Sequence, residues 1–151
     1  MNDPEIHLTR DAEATEELGR ELAAHLLPGD IVLLDGELAA GKTTFVRGLA
    51  AGLGADPGEV TSPTFVIVQT YRCRAGGPVR RLHHVDLYRL HAGQELAEIG
   101  LDELFAEPAA VTAVEWPKHL VTPHLPPASR VWRVHFESLS ETERRLHLEW
   151  P

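Results

Sequence analysis

The segment from Ile31 to Thr43, IVLLDGELAAGKT, constrains this chain more than any other. Ile31, Val32, Leu33 and Leu34 form an apolar run too short for a helix, and it reads as a strand buried on both faces, the mark of a parallel sheet covered by helices. Gly36 to Thr43 then matches Gly-x-x-x-x-Gly-Lys-Thr, and beyond it Phe45, Leu49 and Leu53 recur at helical spacing, with Gly54 as the stop. In a strand–loop–helix of this kind the glycines let the backbone curl so that successive N–H groups converge on a phosphate, and the helix N-terminus adds its positive dipole. Lys42 is then expected to bridge β- and γ-phosphates, and the Thr43 hydroxyl to bind Mg²⁺. Glu37, Leu38, Ala39, Ala40, Gly41, Lys42, Thr43 and Thr44 make up the expected nucleotide cradle. The bland alternative is a glycine-containing turn with an incidental lysine, and the flanking strand and helix argue against it. No Asn-Lys-x-Asp segment is present to select guanine, so ATP is the expected nucleotide.

Around this centre the pattern is that of one α/β domain covering residues 1–151. Glu5 to Leu8 reads as extended. Ala14, Leu18, Leu22 and Leu26 form one stripe of a helix spanning about Asp11 to Leu27, capped by Thr9 or Asp11 and stopped by Pro28-Gly29. Phe65 to Val68 and Val79 to Asp86 read as a hairpin turning at Ala75 to Pro78, and Leu87 to Leu104 as short helical pieces broken at Gly93 and Gly100. Val111 to Glu115 is the next strand. Two closing strands follow, with Trp132, Val134 and Phe136 inward on the first and Leu146, Leu148 and Trp150 on the second. The expected architecture is a three-layer P-loop NTPase-like domain whose central sheet is mostly parallel, with antiparallel additions from the hairpin and the closing strands.

A phosphate loop implies a triphosphate and leaves the chemistry open. Two carboxylates end expected strands, where α/β folds place their sites. Glu115 closes the apolar run Val111 to Val114 and is a candidate Mg²⁺ ligand, directly or through water; Asp86 closes Leu82 to Val85 and is a candidate to orient water or complete the metal shell. A solvated acid at a strand end is the alternative for each. His83 and His84 face opposite sides of a strand and cannot chelate one ion side by side. Thr61 to Thr64 reads either as a nucleotide-sensing loop or as a polar turn. Trp116 reads as buried more readily than as an exposed contact. Of the adjacent Arg144 and Arg145, one is expected in solvent while the other is free to reach toward phosphate or base.

Charge limits the partners. Against 23 Asp+Glu stand 14 Lys+Arg, a net charge of −9, which disfavours a stand-alone nucleic-acid binder. With 43% hydrophobic and 25% charged residues the chain has the makings of one globular core. The single cysteine, Cys73, excludes an internal disulfide and points to a reducing compartment. Neither a signal-like N-terminus nor an apolar run approaching about 18 residues occurs, so a soluble cytoplasmic protein without a membrane partner is expected. A small-molecule P-loop kinase is the alternative to an ATPase, with Arg72, Arg74, Arg80, Arg81 and Arg89 as its mid-chain arginines.

Four segments, GELAAGKTT (36–44), TSPTF (61–65), HVDLYRL (84–90) and EWP (115–117), in this order and spacing resemble the TsaE (YjeE) family of bacterial P-loop ATPases. Asp11, Thr15 and Gly19 are similar to the family's start, and the likeness runs over roughly residues 6 to 120. It implies an ATP- and Mg²⁺-dependent ATPase needed for the threonylcarbamoyl modification of adenosine 37 in tRNA. Such an ATPase acts with TsaB and TsaD, and meets tRNA only indirectly. By the same resemblance Lys42 and Thr43 serve phosphate and Mg²⁺, and Glu115 is the second metal-side acid. Asp86 is the functional aspartate, Thr61 to Thr64 the switch-like loop that brings Thr64 to the nucleotide, and Trp116 an aromatic tied to activity. Ala39 departs from the family's usual glycine. A Cβ there is harmless at negative φ and costs about 1 kcal/mol or more at positive φ. No arginine finger is evident, so turnover without partners is expected to be slow.

Overall fold

The computed structural model describes residues 3–37, 39–61, 68–87, 99–115 and 125–151. Along the chain come β1 (Glu5–Thr9), α1 (Ala12–Ala23), β2 (Ile31–Gly36), α2 (Lys42–Gly52), a 3₁₀ turn (Pro57–Glu59), β3 (Val68–Arg72), β4 (Arg81–Asp86), α3 (Leu101–Ala106), β5 (Ala110–Glu115), β6 (Val131–Ser138) and β7 (Arg144–Glu149). Among the described residues the strands form one seven-stranded sheet in the order β1-β7-β6-β2-β5-β4-β3. The four central strands, β6, β2, β5 and β4, are parallel, and antiparallel strands are added at both edges.

Alternation divides the sheet into two buried faces. Val32 and Leu34 of β2, Val111 and Ala113 of β5 and Trp132, Val134 and Phe136 of β6 join Leu22 of α1 and Phe45, Val46 and Leu49 of α2 in one core. Ile31 and Leu33, Val114 and Val85 face the other way and pack with Leu101 and Phe105 of α3. Burial on both faces is why β2 reads as an uninterrupted apolar run from Ile31 to Leu34. Helices α1 and α2 approach so closely that a Cβ on Gly48 would lie 1.9 Å from the carbonyl oxygen of Glu16, and only glycine is accommodated there.

Asp11, not Thr9, caps α1: its carboxylate accepts from the Ala14 N–H at 2.8 Å, while the Thr9 hydroxyl meets that of Thr15 at 2.7 Å. The helix ends at Ala23 and not at Leu27. Tighter turns, with the His25 N–H on Leu22 O at 2.9 Å and the Leu26 N–H on Ala23 O at 3.2 Å, carry the apolar stripe on and keep Leu26 buried. The hairpin is present as β3 and β4, running to Arg72 and starting at Arg81; Phe65, Val66 and Ile67 lie outside the described residues.

Two expectations for the closing strands need correction. Only β7 is an antiparallel addition, since β6 lies parallel beside β2, with Leu34 opposite Val134 and Gly36 opposite Phe136. Side-chain alternation reports which face a residue takes but carries no information on strand direction. Trp150 falls past the end of β7 and stays 37% exposed, with its ring centroid 4.7 Å from that of Trp132 and its indole N–H donating to Glu5 at 3.0 Å.

Candidate functional site

Parallel strands β2, β4 and β5 end together, and the site is built where they end. Register places Leu34 of β2 opposite Glu115, and Glu115 opposite Asp86 of β4. The chain leaves β2 through Gly36, at φ +141°, where a Cβ would meet the carbonyl oxygen of Phe136 at 2.5 Å. A turn closed by the Ala40 N–H on Glu37 O (3.1 Å) leads to Gly41, whose carbonyl accepts from the Phe45 N–H at 2.9 Å to start α2. Glu37 and Ala39 are exposed, Ala40 is buried, and Thr43 and Thr44 are half-buried in the first turn of α2. Ala39 has φ +63°, the costly of the two possibilities for a residue with a Cβ.

Lys42 is 4% exposed and folds back into the loop, its ammonium donating to the carbonyls of Gly36 (2.9 Å) and Glu37 (2.6 Å). Burial pulls it below the ordinary lysine range, against the opposing charges of Glu115, Asp86, Asp35 and Glu37. The Thr43 hydroxyl donates to the Glu115 carboxylate, 3.1 Å from Oε2 and 3.3 Å from Oε1. Glu115 is 3% and Asp86 5% exposed, so neither is a solvated strand-end acid. A buried ammonium in a glycine-bounded loop, with a hydroxyl and a carboxylate converging below it, offers phosphate a cation and a hard divalent ion two oxygen donors.

The two histidines do face apart. His83 bonds Thr70 at 2.9 Å and also Glu107, while His84 turns to the α2 side and bonds the Glu115 carboxylate through Nε2. Of Arg144 and Arg145, the first donates to Ala39 O on the loop at 3.2 Å and the second pairs with Glu137 at 3.1 Å. Leu38, Thr64 and Trp116 lie outside the described residues, as does all of Ser62 to Ile67. His84, which sequence reasoning weighed only as a chelating partner of His83 and set aside, is the site residue it left without a role. The signal available was its place two residues before Asp86, on the same strand face.

Fold and site define an α/β protein that carries a Gly-x-x-x-x-Gly-Lys-Thr loop at the end of a central parallel strand, with acids from the adjacent strand β5 and from β4 beyond it. Residues 9–146 match the family described as threonylcarbamoyl adenosine biosynthesis protein TsaE. The chain is 50% identical over 101 residues to the tRNA threonylcarbamoyladenosine biosynthesis protein TsaE of Streptomyces coelicolor, covering 66% of this chain and 65% of that one. Proteins of the same name from Synechocystis (44% identical, 77% of this chain and 71% of that one) and Bacillus subtilis (42%, 78% and 69%) are similar to it as well. A crystal structure of Bacillus subtilis YdiB superposes over 100% of this chain and 88% of its own, with a TM-score of 0.69 at 31% identity. The chain belongs to the TsaE family. No described helix is long and apolar enough to cross a membrane.

Proposed function

We propose that this chain is the ATP-binding and ATP-hydrolysing subunit in tRNA threonylcarbamoyladenosine formation, built as a three-layer P-loop NTPase-like domain and acting with TsaB and TsaD. The observation that carries the reading is the Thr43 hydroxyl on the Glu115 carboxylate, 3.1 Å apart directly below the loop that buries Lys42. Lys42 would neutralise phosphate charge, and the N–H groups of the first turn of α2 would offer the phosphates hydrogen bonds. Thr43 and Glu115 would hold Mg²⁺, and the ion would supply charge to offset that developing on the phosphates. Asp86, beside Glu115 in register, orients the attacking water. The net charge of −9 fits a subunit that docks on a protein complex and leaves contact with tRNA to its partners.

Reconstitution tests this. TsaB, TsaD, tRNA and the threonylcarbamoyl donor, with ATP, are expected to form modified adenosine over many turnovers only when this chain is present. Sustained turnover without it refutes the role. ATP hydrolysis is expected to rise when TsaB and TsaD are added. Label from γ-phosphate is expected in inorganic phosphate; its appearance in a metabolite would establish the kinase reading instead.

A further inference from the structure

The hydrogen bonds that converge on Glu115 begin two strands away. On β3 the Tyr71 hydroxyl donates to Gln69 and stands 3.3 Å from His84 Nδ1 on β4; His84 Nε2 in turn bonds Glu115 on β5, which accepts from Thr43 on α2. Tyr71, His84 and Glu115 are 3%, 2% and 3% exposed, so the chain runs through the interior. Register explains the reach. His84 stands opposite Ala113, and Asp86 opposite Glu115, so the imidazole crosses a methyl group to meet Glu115 on the diagonal. The ring is bonded to the carboxylate at Nε2, and the Tyr71 hydroxyl stands beside Nδ1. Burial, aided by the charges of Glu115 and Glu59, pushes the Tyr71 phenol up to about 12, so it remains a hydroxyl beside the ring.

We propose that His84 is a positioning residue for the divalent-cation site: it holds the Glu115 carboxylate in the orientation that meets Thr43, and Tyr71 fixes the imidazole in turn. The inference rests on the nucleotide reading above and names a residue that reading does not use. A glutamate has three side-chain torsions to hold, and metal-ligating groups are commonly oriented by a partner that touches no metal itself. If His84 merely filled space or satisfied a buried acid, its loss would weaken nucleotide binding with and without the cation alike, or not at all.

The test is ATP affinity of the full chain measured by calorimetry in MgCl₂ and in EDTA, with folding of each variant checked by thermal unfolding. His84→Ala is expected to lose tenfold or more in affinity in MgCl₂ and less than twofold in EDTA. His84→Gln, which returns an N–H donor at similar reach, is expected to recover a large part of the loss. Glu115→Gln is expected to show the same magnesium-selective loss, and adding it to His84→Ala to lower affinity little further, because both act on one carboxylate. Should His84→Ala fail to fold, His84→Gln and Tyr71→Phe carry the test, with Tyr71→Phe expected to give a smaller loss selective for magnesium. A folded His84 variant with unchanged affinity in MgCl₂, or equal losses in both buffers, overturns the proposal. A wild-type chain that binds no ATP in either buffer instead refutes the nucleotide reading and removes the basis for a positioning role.

Discussion

The guanidinium of Arg144 donates to the carbonyl of Ala39 across 3.2 Å, tying the start of β7 to the phosphate loop. The same side chain bonds the carbonyls of Ser140 (2.7 Å) and Glu143 (2.9 Å), so the β6–β7 turn holds it in place. The loop residue it braces is the one with an unfavourable backbone, Ala39 at φ +63°. Replacing Ala39 by glycine removes a Cβ clash worth about 1 kcal/mol. Ala39→Gly is therefore expected to raise the free energy of unfolding by about that amount and Tm by about 2–4 °C. Urea and thermal denaturation check it, and a lower midpoint would show that the Cβ makes contacts worth more than the strain.

Lys42 should oppose stability in the nucleotide-free protein. Burial lowers its pKa from the ordinary 10.5, so at neutral pH the folded state bears the cost of a partly desolvated ammonium. Lys42→Met keeps the length without the charge. It is expected to stabilise the nucleotide-free chain by about 1 kcal/mol near pH 7 while abolishing detectable ATP binding. The sign with pH follows: the folded-state pKa lies below the unfolded one, so the penalty is full below the folded value and is relieved as pH rises through it toward 10.5. The stability gap between variant and wild type should narrow in that alkaline window, as measured by urea denaturation at a series of pH values.

Asp30 ties the front of β2 to β6. It is 1% exposed and accepts from the Leu27 N–H at 3.0 Å, the Trp132 indole at 2.9 Å and Arg130 at 2.9 Å. Asp30→Ala leaves a buried indole N–H and a backbone N–H unpaired and is expected to cost about 3–5 kcal/mol. Arg130→Ala removes only a half-exposed partner and should cost about 1 kcal/mol or less. Equal losses in urea denaturation would mean that the ion pair, and not the buried acceptor, matters.

Gly48 tests the helix contact beneath the loop. With backbone of α1 only 1.9 Å from where its Cβ would stand, Gly48→Ala must part α1 from α2. Such overpacking against backbone is expected to cost about 3 kcal/mol, more than alanine's better helix propensity, about 1 kcal/mol, returns. A variant as stable as wild type would show that the helices separate freely.

Much of this was written locally. Gly36, Gly41, Lys42 and Thr43 lie within eight residues, and a loop between a buried strand and a helix is set by neighbours in the chain; the apolar run that ends in Glu115, and the less apolar one that ends in Asp86, likewise read as strands whose last residue is an acid. The sequence also separated His83 from His84, because adjacent strand residues point to opposite faces. Pairing was another matter. That Asp86 lies opposite Glu115, that His84 reaches Glu115 across Ala113, that β6 runs parallel beside β2, and that Arg144 meets Ala39 all depend on register and strand order. A period of two encodes which face a side chain takes and nothing about which strand lies alongside or how far it is slid. Those choices come from packing two apolar faces against α1, α2 and α3 at once, a condition satisfied only by the folded chain as a whole.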